Sequence, residues 1–274
     1  ILNVGDIKPA EYQVELFLDM AWNLEAVKQQ GVAAHQRHFL EREFGKNRAD
    51  RLQPVMQEAY RLAYIRKPEF MGNTRTEEKD PKFKVISDLP WSEQEINERL
   101  AAYRQLSDKV EQEWHALPAQ KKETYFQLVK YPVQAAAQMN NKLLTAQLAR
   151  HGKADWADSD RAYDSIVSLT KRYNTTKWNR MMDFQPRRLP VFNRVERKAL
   201  SSGLPEKRQA VYTWNGADCA EGVSAICEGL GYEGKAVAVS KNKELTFEFT
   251  AWETDSVEVE VRLLPNPVSY THLR

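Results

Sequence analysis

Cysteine is scarce: Cys219 and Cys227 are the two present in 274 residues. They stand too far apart for a CxxC motif and have no histidine nearby, which excludes a zinc ribbon or a redox dithiol. The pair is read either as a disulfide or as two separate thiols, and it does not fix the compartment. Long apolar runs are missing too, so no segment reaches the roughly 18 to 20 residues of a helical membrane span. Charge of one sign is not in excess. Forty Lys plus Arg against 38 Asp plus Glu give a formal net charge of +2, which argues against nucleic acid or an anionic membrane surface as partner. There is no Gly-rich phosphate loop, no Gly-x-Ser-x-Gly elbow and no Cys-His nucleophile signature. No internal repeat or low-complexity segment is present.

What is present is a chain that is 42% hydrophobic and 28% charged, of a length suited to about two domains. It opens on "ILNVGDIKP" without an initiator Met. An apolar run stopping at Gly5 and Asp6, then Pro9, reads as a buried strand with a polar cluster at its carboxyl end. One strand cannot form a sheet, so the chain is expected to be a fragment cut inside a larger domain.

Helical patterns follow. "PAEYQVELFLDMAWN" puts Val14, Phe17, Leu18 and Ala21 on one stripe. "GVAAHQRHFLEREFG" runs to Gly45 as a C′ residue, and Asp50 is placed as the cap of the next helix, which Pro68 stops. A polar, Pro-punctuated loop leads to Ser92 and Glu95, a capping box, with Trp91 and Ile96 as a hydrophobic staple. Pro132 interrupts a helix that closes at Gly152, and "DSDRAYDSIVSLTKRYN" forms another.

Near Gln209 the period changes to two. "KAVAVS", "ELTFEFTA" and "SVEVEVRLLP" alternate apolar and polar residues, the grammar of antiparallel strands. The fold expected is therefore mainly α, a multi-helix bundle over residues 26–200. A short N-terminal strand-helix piece (1–25) precedes it, and a partial antiparallel β-sandwich (205–267) follows. Residues 268–274 carry no pattern and read as a non-native tail.

Four stretches resemble glycoside hydrolase family 115, the xylan α-glucuronidases: "NVGDIKPAEYQVELFLDMAWN", "YFQLVKYPVQAAAQMNNKLL", "LTKRYNTTKWNRMMDFQPRRL" and "GLGYEGKAVAV". They follow the family's order from Asn3 to Val239. The resemblance implies a (β/α)₈ barrel ending near residue 25, then a helical bundle and a C-terminal β domain. It also implies an enzyme that removes glucuronic acid, or its 4-O-methyl form, from glucuronoxylan with inversion. No cofactor or metal is implied. The partners implied are glucuronoxylan or its oligosaccharides and a second copy of the chain, and the location is extracellular or periplasmic.

An inverting glycosidase needs an acid and a base roughly 6.5 to 9.5 Å apart, and barrel enzymes draw these from several strand ends. One such end is visible, carrying Asn3, Asp6 and Lys8. The resemblance makes Asn3 and Asp6 wall or orienting groups and Lys8 a partner for a uronate carboxylate. The competing reading has Asp6 as a helix cap and Lys8 solvated. The catalytic acid and base are expected upstream, so the chain alone is expected to be inactive.

Three further groupings are weighed. Glu11, Glu15 and Asp19 form a helical row, read as a solvated face with Trp22 as a packing residue. In "YNTTKWNRMMDFQPRRL", Tyr173 or Trp178 can stack on a sugar, Asn179 can bind hydroxyls and Arg187 or Arg188 can pair with a uronate; packing at a domain interface is the favoured reading. His35, His38 and Glu41 share a face but lack a fourth ligand, so a surface cluster is preferred to a metal site. The alternative to the enzyme is a non-catalytic helical interaction or dimerisation module with a small β domain.

Overall fold

The computed structural model describes residues 8–72 and 86–198, with Val4, 203–204, 206, 225–228, 235–238, 244–247, 259 and 261. Among the described residues the helices are α1 (Glu11–Trp22), α2 (Leu24–Gln30), α3 (Val32–Phe44), α4 (Lys46–Ile65), α5 (Glu93–His115), α6 (Ala119–Tyr125), α7 (Tyr131–Arg150) and α8 (Trp156–Asn174). Strands β1 (Ala225–Glu228) and β2 (Lys235–Ala238) pair antiparallel, Ile226 opposite Val237. Two compact units are distinguished, one of Ile1–Tyr60, Ala101–Gln138 and Asp164–Phe184, the other of Arg61–Leu100, Met139–Tyr163 and Gln185–Arg274.

In the first unit, short breaks set the path of α1 to α4. Asn23 ends α1 with its N–H on the Asp19 carbonyl at 2.9 Å and starts α2 by accepting from Ala26 N–H at 3.1 Å. Gly31 and Gly45, at φ 81° and 83°, supply the left-handed residues before α3 and α4. Because α4 begins at Lys46, Asp50 lies inside it instead of capping it, and its carboxylate accepts from Arg37 Nε at 2.8 Å. The expected α1 stripe is open: Tyr12 is the buried residue of this helix, while Leu18 is 58% and Trp22 is 92% exposed. Trp22 is therefore not a packing residue here, because no described residue covers it.

The break expected at Pro132 takes a specific form. Residues Phe126–Lys130 form a π turn between α6 and α7. Proline offers no N–H to the preceding turn and crowds its carbonyl, and a wider turn absorbs both effects. It also brings Phe126 and Tyr131 together at a 6.0 Å ring separation.

The second unit contains the capping box as read. Ser92 N–H donates to Glu95 Oε2 at 2.9 Å and Glu95 N–H donates to Ser92 Oγ at 3.3 Å, with Trp91 and Ile96 buried beside it. Gln147 satisfies both backbone groups of buried Leu89, accepting its N–H at 3.0 Å and donating to its carbonyl at 2.8 Å. Arg99 donates to the Asn140 side chain and to the Leu62 and Arg66 carbonyls, closing the end of α4 onto α5 and α7. Fully buried Lys142 donates to the Val191 carbonyl at 2.6 Å and the Asn193 carbonyl at 2.9 Å, pinning the 3₁₀ turn Pro190–Phe192. A neutral amine keeps two N–H groups for those two carbonyls, and burial pushes Lys142 down to about 7.

Of the three expected C-terminal strands, "KAVAVS" is met by β2, whereas β1 was not anticipated. Within "ELTFEFTA", residues 244–247 are not in a strand, and Val259 and Val261 are 71% and 67% exposed instead of facing a core. The other residues of those two segments, Cys219, the tail and the N-terminal run apart from Val4 lie outside the described residues, while Cys227 falls in β1 opposite Ala236.

Two stability predictions follow from these contacts. Ser92→Ala removes one half of the capping box and is expected to cost about 1 kcal/mol, read as a lower urea midpoint. For Lys142, the unfolded chain holds its proton up to about 10.5 while the folded chain releases it from about 7. The unfolded state binds more protons in that window, so stability rises with pH across it. Lys142→Met is expected to abolish this rise; an unchanged slope between neutral and alkaline urea titrations would refute the assignment.

Candidate functional site

Asn3 and Asp6 lie outside the described residues; Lys8 does not. Its ammonium ion-pairs with Glu11 Oε1, three residues on at the first turn of α1. The same ammonium sits 4.3 Å from the centroid of the Trp178 ring. Lys8 is thus held, its side chain 10% exposed, and the solvated reading does not hold. The structure joins two stretches that sequence reasoning treated separately, the residues before α1 and those following α8.

Trp178 belongs to a cluster built on Phe126, Tyr131 and Tyr173, with Trp114, Leu169 and Met182 packed against it. Tyr173 is fully buried, its ring 4.7 Å from Tyr131 and 6.0 Å from Phe126. The Asn174 side chain fixes the turn after α8, donating to the Met182 carbonyl at 2.7 Å and accepting its N–H at 3.1 Å. Two polar atoms here have no described hydrogen-bond partner, Tyr173 Oη and Trp178 Nε1. Burial, and next the Glu11 charge, push the Tyr173 hydroxyl well above its usual range. A second ammonium, on exposed Lys177, lies 5.0 Å from the same Trp178 ring. Glu11 also lines a cavity of about 40 Å³ with Pro9, Tyr12, Gln13 and Tyr60. That is room for water and not for a sugar.

The carboxylate row on α1 stays partly open to solvent, with Asp19 exposed, but each of its members has a partner. Glu11 pairs with Lys8, Glu15 accepts two bonds from Arg42 at 2.8 Å each, and Asp19 lies 2.9 Å from buried His35 Nε2. Lys8 comes from just before α1 and both Arg42 and His35 from α3, which lies against α1 along that row. The periodicity was visible, but the partners it faces were not. Glu15, Asp19 and His35 bring ligand atoms within 4.8 Å of one another. Arg42 occupies both Glu15 oxygens with a guanidinium, the opposite of what a cation would require. His35 and His38 do not share a site, since His38 Nδ1 lies 2.7 Å from Gln30 Nε2 and Glu41 pairs with Arg37. Asn179 and Arg188 are exposed, and the Arg187 side chain is not described.

The Lys8 ammonium is thus shared between the Glu11 carboxylate and the Trp178 ring. Comparisons with known proteins relate the chain to one family. The sequence model of glycosyl hydrolase family 115 matches residues 1–70. A solved structure of a family GH115 4-O-methyl-α-glucuronidase, BtGH115A, described as specific for decorated arabinogalactans, is 61% identical with a TM-score of 0.76. The match covers 88% of this chain and 32% of that one, so the chain spans about a third of the length of that enzyme. No curated protein matches. The chain belongs to glycosyl hydrolase family 115.

Because the Tyr173 hydroxyl has no described partner, Tyr173→Phe is expected to leave stability within about 0.5 kcal/mol of the parent or to raise it. A thermal or urea unfolding comparison checks this, and a loss above about 1 kcal/mol would reveal a hidden acceptor.

Proposed function

We propose that this chain is part of an inverting α-glucuronidase that removes glucuronic acid, or 4-O-methylglucuronic acid, side chains from glucuronoxylan. The observation that carries the reading is the 61% identity to a 4-O-methyl-α-glucuronidase over 88% of the chain. The ammonium of Lys8 over Trp178 supports it, since a uronate is set apart from the neutral sugars of a polysaccharide by its carboxylate. In this reading residues 1–25 close a (β/α)₈ barrel, 26–200 form the helical bundle and 205–267 begin a β domain. Asn3 and Asp6 stand with Lys8 on the substrate side. Acid and base come from strands upstream. A homodimer and an extracellular or periplasmic location belong to the same proposal and rest on the family resemblance. A second substrate, glucuronate-decorated arabinogalactan, is favoured by the description of the relative.

Assay of the full-length enzyme on glucuronoxylan, aldouronic acids and decorated arabinogalactan tests this, with glucuronic acid release expected. The isolated chain is expected to release none. In the full-length enzyme Lys8→Met is expected to raise KM about tenfold or more, the worth of a charge-assisted hydrogen bond. A full-length enzyme silent on all three substrates would favour the non-catalytic interaction module.

A further inference from the structure

Helix α1 packs on the bundle with its charged side. Glu15 and Asp19 reach Arg42 and His35 on α3, and Tyr12 is the buried residue beside them. At 100° per residue, the apolar stripe Val14, Phe17, Leu18 and Ala21 is centred about 140° around the helix from those three positions. The stripe therefore points away from α3. Leu18 is 58% exposed and Trp22, one turn further on, is 92% exposed. Ala21 is exposed as well, and Val14 and Phe17 are half-buried. A helix with one face on its own protein ordinarily buries the apolar one. Helix α1 does the reverse, and a continuous apolar stripe left to water marks an interaction surface.

We propose that the stripe of Val14, Phe17, Leu18 and Ala21, with Trp22 at its end, is the docking face for the apolar outer surface of a parallel barrel sheet in the same polypeptide, which makes α1 the joint between that sheet and the bundle. This rests on the reading above that the chain is part of a larger barrel enzyme, and not on its activity. The relative supplies the length for such a sheet: the match covers 32% of that chain, so about two thirds of it has no counterpart here. The family model matches residues 1–70, which contain the stripe. The chemistry of the stripe selects the occupant. Its four residues carry no charge and no hydrogen-bonding side chain, so they offer a polysaccharide or an anionic partner nothing to pair with. The strands of a parallel barrel, by contrast, present apolar residues outward and are covered there by helices. Glu15 and Asp19 then gain a second use, because their pairing with α3 ties the helix that covers the sheet to the bundle.

The test compares this chain with the full-length enzyme, each carrying Leu18→Cys, by maleimide labelling read peptide by peptide so that Cys219 and Cys227 are scored apart. Position 18 is expected to label about tenfold or more slowly in the full-length enzyme, as for a side chain reached only when the protein opens locally. Equal rates in the two proteins overturn the docking face. Protection that arises in this chain alone as its concentration is raised assigns the stripe to a second copy and overturns it too. Leu18→Asp provides the second arm. It is expected to leave the urea midpoint of this chain unchanged, as at an exposed position, and to lower the thermal midpoint of the full-length enzyme by several degrees. The same effect in both proteins, or none in either, counts against the face. Neither readout involves release of glucuronic acid, so a full-length enzyme that is inactive but protects position 18 refutes the activity and upholds the docking face.

Discussion

Burial of Tyr173 against Phe126 and Tyr131 is the contact on which the candidate site depends. Residues 126 and 131 are five apart, and in a regular α-helix they would point about 140° away from each other at 100° per residue. The π turn widens the spiral and returns both rings to one side, where α8 presents Tyr173 between them. Trp178 packs on this cluster, and Lys8 packs on Trp178. An aromatic arrangement set by one proline and one irregular turn therefore determines where a lysine from the other end of the chain comes to rest.

Arginine and lysine serve two different ends in this chain, and carbonyl-directed arginines occur in the first unit too, where Arg48 reaches Ala116 and Arg51 reaches Asn47. In the second unit Arg99 and Lys142 point their donors at backbone carbonyls, acting as internal clamps on chain ends. Such clamps cost desolvation and return specificity of path, because carbonyls are directional acceptors. In the first unit the charges of Lys8 and Lys177 lie on an aromatic face, which holds a cation without using its N–H groups, and Lys8 spends one of them on Glu11. The second arrangement is the one suited to ligand recognition.

Much of the helical layout was legible, since it depends on local rules. Ser92 and Glu95 announced their helix, Gly45 ended one, and Trp91 and Ile96 beside the capping box fell in the core. Asp50 was misplaced because Gly45 already starts α4, and an acidic residue preceding an apolar pattern carries the same signal inside a helix as at its cap. Half of the candidate site was visible as residue types: Lys8, Tyr173 and Trp178 were each singled out. Their meeting was not, because contact across more than 160 residues leaves no trace in periodicity. Glu11 was missed for a related reason. Its row with Glu15 and Asp19 matched the pattern of a wet helix face, and what distinguishes it is the identity of the partners on other elements. The exposed Val259 and Val261 show the limit of alternation, which signals a strand without supplying the surface that would bury it.

Four of the five boundaries between the two units fall inside α4, α5, α7 and α8, because each of these helices supplies residues to both; the fifth falls between Phe184 and Gln185. At those four crossings no loop separates the residues of one unit from those of the other. Recombination at any of those four crossings would split a continuous hydrogen-bonded helix and leave two unfinished cores.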